Sequence, residues 1–100
     1  MALNINDNKG VGIIHITGTT STPQTIFSGV RYIDIVIWNG GTAGGHKLHI
    51  LTGNNKPFLG FTFFAANQSE QIKIGHDING MKIDDLDSGE VFIYFRPRTQ

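Results

Sequence analysis

Arg31-Tyr32-Ile33-Asp34-Ile35-Val36-Ile37-Trp38 is the stretch whose reading decides the fold. Its isoleucines fall at every second position, 33, 35 and 37. A period of two places them on one face of a sheet and puts Tyr32, Asp34, Val36 and Trp38 on the other. Working outward, the same kind of signal recurs. Residues 11–17 are β-branched around His15, and residues 24–27 form a short apolar run after the loop GTTSTP at 18–23. Residues 46–52 point Leu48 and Ile50 one way. Residues 58–65 set Leu59, Phe61 and Phe63 against Phe58, Thr62 and Phe64. Short runs at 71–74 and 81–83 flank residues 75–80, which contain Asn79-Gly80. Residues 90–96 alternate Val91, Ile93 and Phe95 with Phe92 and Tyr94, and Pro97, with no N–H to donate, ends the ladder.

Gly, Asn, Pro and Ser punctuate these runs at near-regular intervals, and no stretch reads as a helix long enough for a βαβ unit. The sequence therefore predicts an all-β domain over residues 11–100. About eight short antiparallel strands form a two-sheet sandwich in jelly-roll or Greek-key order. A small closed barrel is the alternative. The expected core is Ile33, Ile35, Ile37, Leu48, Ile50, Phe61, Phe63, Val91, Ile93 and Phe95. Residues 1–10, MALNINDNKG, are polar and Asn-rich, and read as an N-terminal arm or a loosely attached edge.

The 100 residues suit one domain that buries ~60–70% of the surface of its unfolded chain. Eight basic and eight acidic side chains leave no net charge, which argues against capture of a nucleic acid through its phosphates. There is no Cys, so disulfides and thiolate metal sites are excluded. Met1-Ala2-Leu3-Asn4 does not open a signal peptide, and no run reaches the ~20 apolar residues of a membrane helix. A cytoplasm-like compartment is expected. Charged residues make up 16% of the chain, few enough that a partner is expected to cover part of the surface.

Chemistry-bearing motifs are weak. Gly40-Gly41-Thr42-Ala43-Gly44-Gly45-His46-Lys47 has the glycines of a phosphate loop. His46 intervenes before the lysine, however, and a strand follows in place of a helix, so a flexible connection is the simpler reading. His46 and His49 lie three apart and fall on opposite faces of a strand. A metal site from His15, His49 and His76 would need folding to gather them. Asp84, Asp85, Asp87 and Glu90 form an acidic turn with oxygen ligands suited to Ca²⁺, but without the alternating order of a Ca²⁺ loop. A solvated turn that discourages sheet pairing explains it as well. No nucleophile elbow is present, and a carboxylate pair of Asp34 with a residue in 84–90 has nothing to set its spacing. No catalytic residue, cofactor or metal is assigned.

The aromatic side chains carry more. Phe58, Phe64, Phe92, Tyr94, Tyr32 and Trp38 alternate away from strand faces that already hold apolar residues. A sandwich needs only its inner faces to be apolar, so these six are candidates for an interface. Loops or neighbouring strands covering some of the rings would be the bland account.

The order of signals resembles that of small β-sandwich virion proteins of tailed bacteriophages, the capsid decoration or cement class. The features concerned are the Thr/Ser/Pro-rich stretch at 19–27, then Gly29-Val30 leading into 33–38. A Gly-rich hairpin follows, then a strand with a polar end at 49–53, the INGM segment at 78–81 and the last strand at 91–95. The resemblance implies a non-enzymatic virion protein, assembled in the host cytoplasm. It would bind the major capsid protein or other virion proteins as a homo-oligomer, a trimer by preference, with no nucleic acid or membrane partner. The alternative is a carbohydrate-binding or host-recognition module of a tail or fibre. Trp38 or Tyr32 would then be a stacking platform, with Asp34, Asn39 or His49 as hydrogen-bond partners.

Overall fold

The computed structural model describes residues 3–40, 44–62 and 69–96. Phe63, Phe64, Pro97 and residues 41–43 of the Gly-rich connection lie outside them, as does the side chain of Phe61. Among the described residues there are seven strands: β1 (Asn4–Asn8), β2 (Ile13–Thr17), β3 (Gln24–Asn39), β4 (Lys47–Thr52), β5 (Pro57–Thr62), β6 (Ser69–Leu86) and β7 (Glu90–Arg96). All pair antiparallel in one open sheet of order β1-β2-β7-β3-β6-β4-β5, with β1 and β5 at its ends. The fold is all-β, as the alternation requires. Among the described residues the hydrogen bonding joins one sheet, where two were expected, and that sheet does not close into a barrel.

The strand count differs from eight for a local reason. Ser28-Gly29 and residues 75–80 read as turns, but the chain continues extended through both. Each is absorbed as a register irregularity inside a long strand, β3 or β6. Gly75 and Gly80 adopt positive φ of 71° and 78°, which a residue with a Cβ rarely does, so β6 can kink without ending. In the other direction, Asn4–Asn8 of the expected arm is an edge strand. Its register runs from Asn4 opposite Thr17 to Asn8 opposite Ile13. Asp7 fixes it further. Its carboxylate accepts two hydrogen bonds from Arg31, at 3.0 and 2.8 Å, and the guanidinium lies 4.7 Å from the ring centres of both Phe27 and Phe95.

The irregularity at Ile33–Ile35 changes which residues form the core. Ile33 faces Phe95 and Ile35 faces Tyr94, so β3 takes two steps where β7 takes one and Asp34 is the extra residue. A one-residue insertion turns every later side chain to the opposite face. Ile33 is buried, but Val36 and Trp38 then replace Ile35 and Ile37 inside, and the two isoleucines are only half-buried. Two cross-strand rows result: Ile14–Ile93–Val36 and Ile16–Val91–Trp38. At the other end of the sheet Leu48 faces Leu86 and Ile50 faces Ile83. These residues, with Ile26, Phe27, Ile78, Met81 and Phe95, belong to one core cluster. The expected core residues Leu48, Ile50, Val91, Ile93 and Phe95 are buried as read.

Trp38 is fully buried, and its indole N–H donates to the Ser88 carbonyl at 2.7 Å. Trp38→Ala should therefore cost about 3–5 kcal/mol in urea unfolding, and Ile37→Ala clearly less. Equal losses would return Ile37 to the core and refute the bulge. For β1, Asp7→Ala should speed amide exchange across Asn4–Asn8 by about tenfold or more and leave exchange at Ile93 unchanged. Unchanged exchange in β1 would show that the ion pair does not hold it.

Candidate functional site

The bulge that buries Trp38 also builds the outward face. Residues alternating with the core rows form two rows of their own. One runs Asn8–Ile13–Tyr94–Ile35–Lys73, the other Asn6–His15–Phe92–Ile37–Gln71. Their centre is apolar and aromatic, and all six central residues are half-buried. Their margins, Asn6 and Asn8 on one side and Gln71 and Lys73 on the other, are exposed and polar. The His15 ring stacks on Phe92 with centroids 4.6 Å apart, and its Nε2 lies 2.7 Å from Glu90 Oε1. Beyond Tyr94, Arg96 lies 4.3 Å from the Tyr32 ring centre and donates to Asp34 Oδ1 at 3.2 Å.

Of the six aromatic candidates, Phe92 and Tyr94 stand at the centre of this face. Tyr32 lies at its end, where the phenol donates to the Gly75 carbonyl at 2.8 Å. Trp38 is a correction: the bulge carries it into the core, so it is neither an interface residue nor a stacking platform. Phe58 is on β5, at the far end of the sheet, partly buried against the core with its ring nearly perpendicular to that of His76. Phe64 lies outside the described residues. Asp34 and Asn39 are on β3 and His49 on β4, so no single patch gathers these proposed hydrogen-bond partners around an exposed ring.

The histidines are not gathered either. His15 meets Glu90; His49 Nδ1 lies 3.6 Å from Asp84 Oδ1; His76 meets Phe58 and the Asp77 carbonyl. Among the described residues no three His, Asp or Glu side chains are grouped to hold a metal ion. His46 Nδ1 instead lies 2.7 Å from the Ser88 hydroxyl.

The acidic turn ties strands together. Asp87 accepts the Lys47 amide at 2.8 Å through its carboxylate, and its own amide donates to the Lys47 carbonyl. Thr20 and Leu86 exchange backbone hydrogen bonds beside it. Sequence spacing gave no sign of these partners, because all are long-range. Asp84 Oδ1 and Asp85 Oδ1 are buried without a hydrogen-bond partner among the described residues. Burial raises the Asp85 carboxyl above the usual range. The neighbouring Asp87 and Asp84 carboxylates raise it further, against a lowering by His49. The folded state thus favours protonated Asp85. That contribution is present at low pH and is lost as pH rises through the raised value. Asp85→Asn should therefore raise Tm at pH 7 and flatten the dependence of Tm on pH just above the ordinary Asp range. A lower Tm at pH 7 would show that the charge is wanted there.

No protein-family model matches the chain, and comparison with curated proteins and with solved structures likewise gives no match.

Proposed function

We propose that this protein is a non-enzymatic structural protein of a phage virion, a capsid decoration protein that docks through the face centred on Phe92 and Tyr94. The observation that carries this reading is the composition of that face. An apolar, aromatic centre within a polar margin is the anatomy of an interface core and rim. The inner rows already supply the core of these strands, so the outer aromatic side chains are more apolar surface than a buried inner face requires. Rings bury ~150–250 Å² each when covered, which makes Phe92 and Tyr94 natural anchors. The sheet is proposed to fold over as a sandwich, a reading supported by the single core cluster shared by its two ends.

The partner would be the major capsid protein or another virion protein, met in the assembled virion after folding in the host cytoplasm. A small symmetric oligomer, a trimer by preference, would present several such faces to the lattice at once. Neutral net charge agrees with a partner other than nucleic acid. Glycan recognition on a Trp38 platform finds no support, since that ring is fully buried.

Co-sedimentation with capsids stripped of the protein tests the proposal. Wild-type protein should pellet with the particles. A Phe92→Ser, Tyr94→Ser double variant should stay in the supernatant, its binding weakened at least about a hundredfold, with its far-UV spectrum unchanged. Undiminished binding by the double variant would remove this face from the reading. Failure of the wild type to bind any virion particle would remove the virion.

A further inference from the structure

Three segments that read as separate turns meet at one place. Ser28-Gly29 of β3, Gly53-Asn54 after β4 and Asn79-Gly80 of β6 line a cleft of about 380 Å³, together with Thr25, Phe27 and Lys82. Close backbone contact creates it. A Cβ on Gly53 would come within 2.8 Å of the Asn79 carbonyl oxygen, and one on Gly80 within 2.9 Å of the Gly53 Cα. Only glycine at both positions lets the β4–β5 turn reach this far onto β6. The register slips here too, from Phe27 opposite Met81 to Val30 opposite Asn79, which leaves Ser28 and Gly29 without a partner position on β6.

The chemistry of the lining is selective. Thr25, Ser28, Asn54 and Asn79 are exposed, and none makes a side-chain hydrogen bond among the described residues. Two hydroxyls and two carboxamides therefore face one space with their donors and acceptors unused. Lys82 adds a cation, one of whose protons goes to Asn55 Oδ1 at 2.9 Å. No carboxylate lines the cleft to offset a cation's charge, and the Lys82 ammonium repels one. Phe27 is almost fully buried, so no ring is free to stack on a nucleobase or on the apolar face of a sugar. What remains fits a small polyhydroxylated molecule with one negative charge.

We infer that this cleft binds an acidic monosaccharide unit of the uronic acid type. Lys82 takes the carboxylate, and the hydroxyl and carboxamide side chains take the ring hydroxyls. The site uses segments distant in register from the Phe92 face, so its success or failure is independent of the docking reading. Without a stacking ring the affinity is modest, with a dissociation constant of about 1–10 mM.

Glucuronate, glucose and inorganic phosphate, each titrated into ¹⁵N-labelled full-length protein, test it. Glucuronate should give saturable shifts at the amides of Ser28, Gly29, Gly53 and Gly80, with Ile14 and Ile93 unmoved. Glucose should bind about tenfold more weakly. Lys82→Gln should weaken glucuronate about tenfold, to the level of glucose. Asn79→Ala should weaken both sugars. Unmoved Ile14 and Ile93 amides in each variant confirm that the fold is kept. No saturation of the cleft amides by about 50 mM glucuronate overturns the inference. So does phosphate binding as tightly as glucuronate, which would leave a simple anion site, and so does a Lys82→Gln variant that still prefers glucuronate.

Discussion

The antiparallel pairing of β3 with β6 is the constraint on which the rest depends. These strands, 16 and 18 residues long, run through both ends of the sheet. β7, β2 and β1 add outward from the later half of β3, and β4 and β5 add outward from the later half of β6. A uniform ladder of that length would be a stiff twisted ribbon with two solvent faces. Register slips at Thr25–Phe27, Phe27–Val30 and Ile33–Ile35 interrupt it, and each adds local bend and twist. The shared core cluster is compatible with a sheet bent in this way, because buried residues from both ends contribute to it.

The fold class was legible because alternation is a local signal. Val91, Ile93 and Phe95 behave as their spacing says, since nothing interrupts β7. Residues 31–38 carry the cleanest alternation in the chain and mislead halfway along. The slip at Asp34 is set by where β7 and β6 sit, and neither is encoded within the stretch itself. Periodicity alone favours the isoleucines as the inner set over Val36 and Trp38, because it cannot see an inserted residue. The same blindness split β3 and β6. A glycine beside Ser or Asn marks a turn and a bulge equally well, and only a partner strand decides between them.

The candidate sites divide in the same way. Phe92 and Tyr94 could be placed on an outer face because β7 is regular. Their companions Ile13, Ile35 and Ile37 could not, since they join that face through pairing and through the slip. The cleft at Gly53 and Gly80 had a signal in the sequence, three small-residue dipeptides at 28–29, 53–54 and 79–80. Nothing local says that they converge. Arg31 was equally hidden: its two aromatic neighbours and its carboxylate lie 4, 64 and 24 residues away in the chain. Long-range juxtaposition of this kind is what alternation and spacing leave out.

The chain has one tryptophan, and the slip in β3 seals it from water with its indole N–H bound to the Ser88 carbonyl. That arrangement makes the protein its own fluorescent gauge of core integrity. The emission belongs to a single ring in an apolar, hydrogen-bonded setting, with no second indole to blur it. It lies on the opposite side of the sheet from Phe92 and Tyr94, so binding at the proposed outer face would leave its immediate surroundings intact. Red-shifted light would mean that the interior has opened, and an unchanged spectrum during association would mean that the domain joins its neighbours as a rigid body.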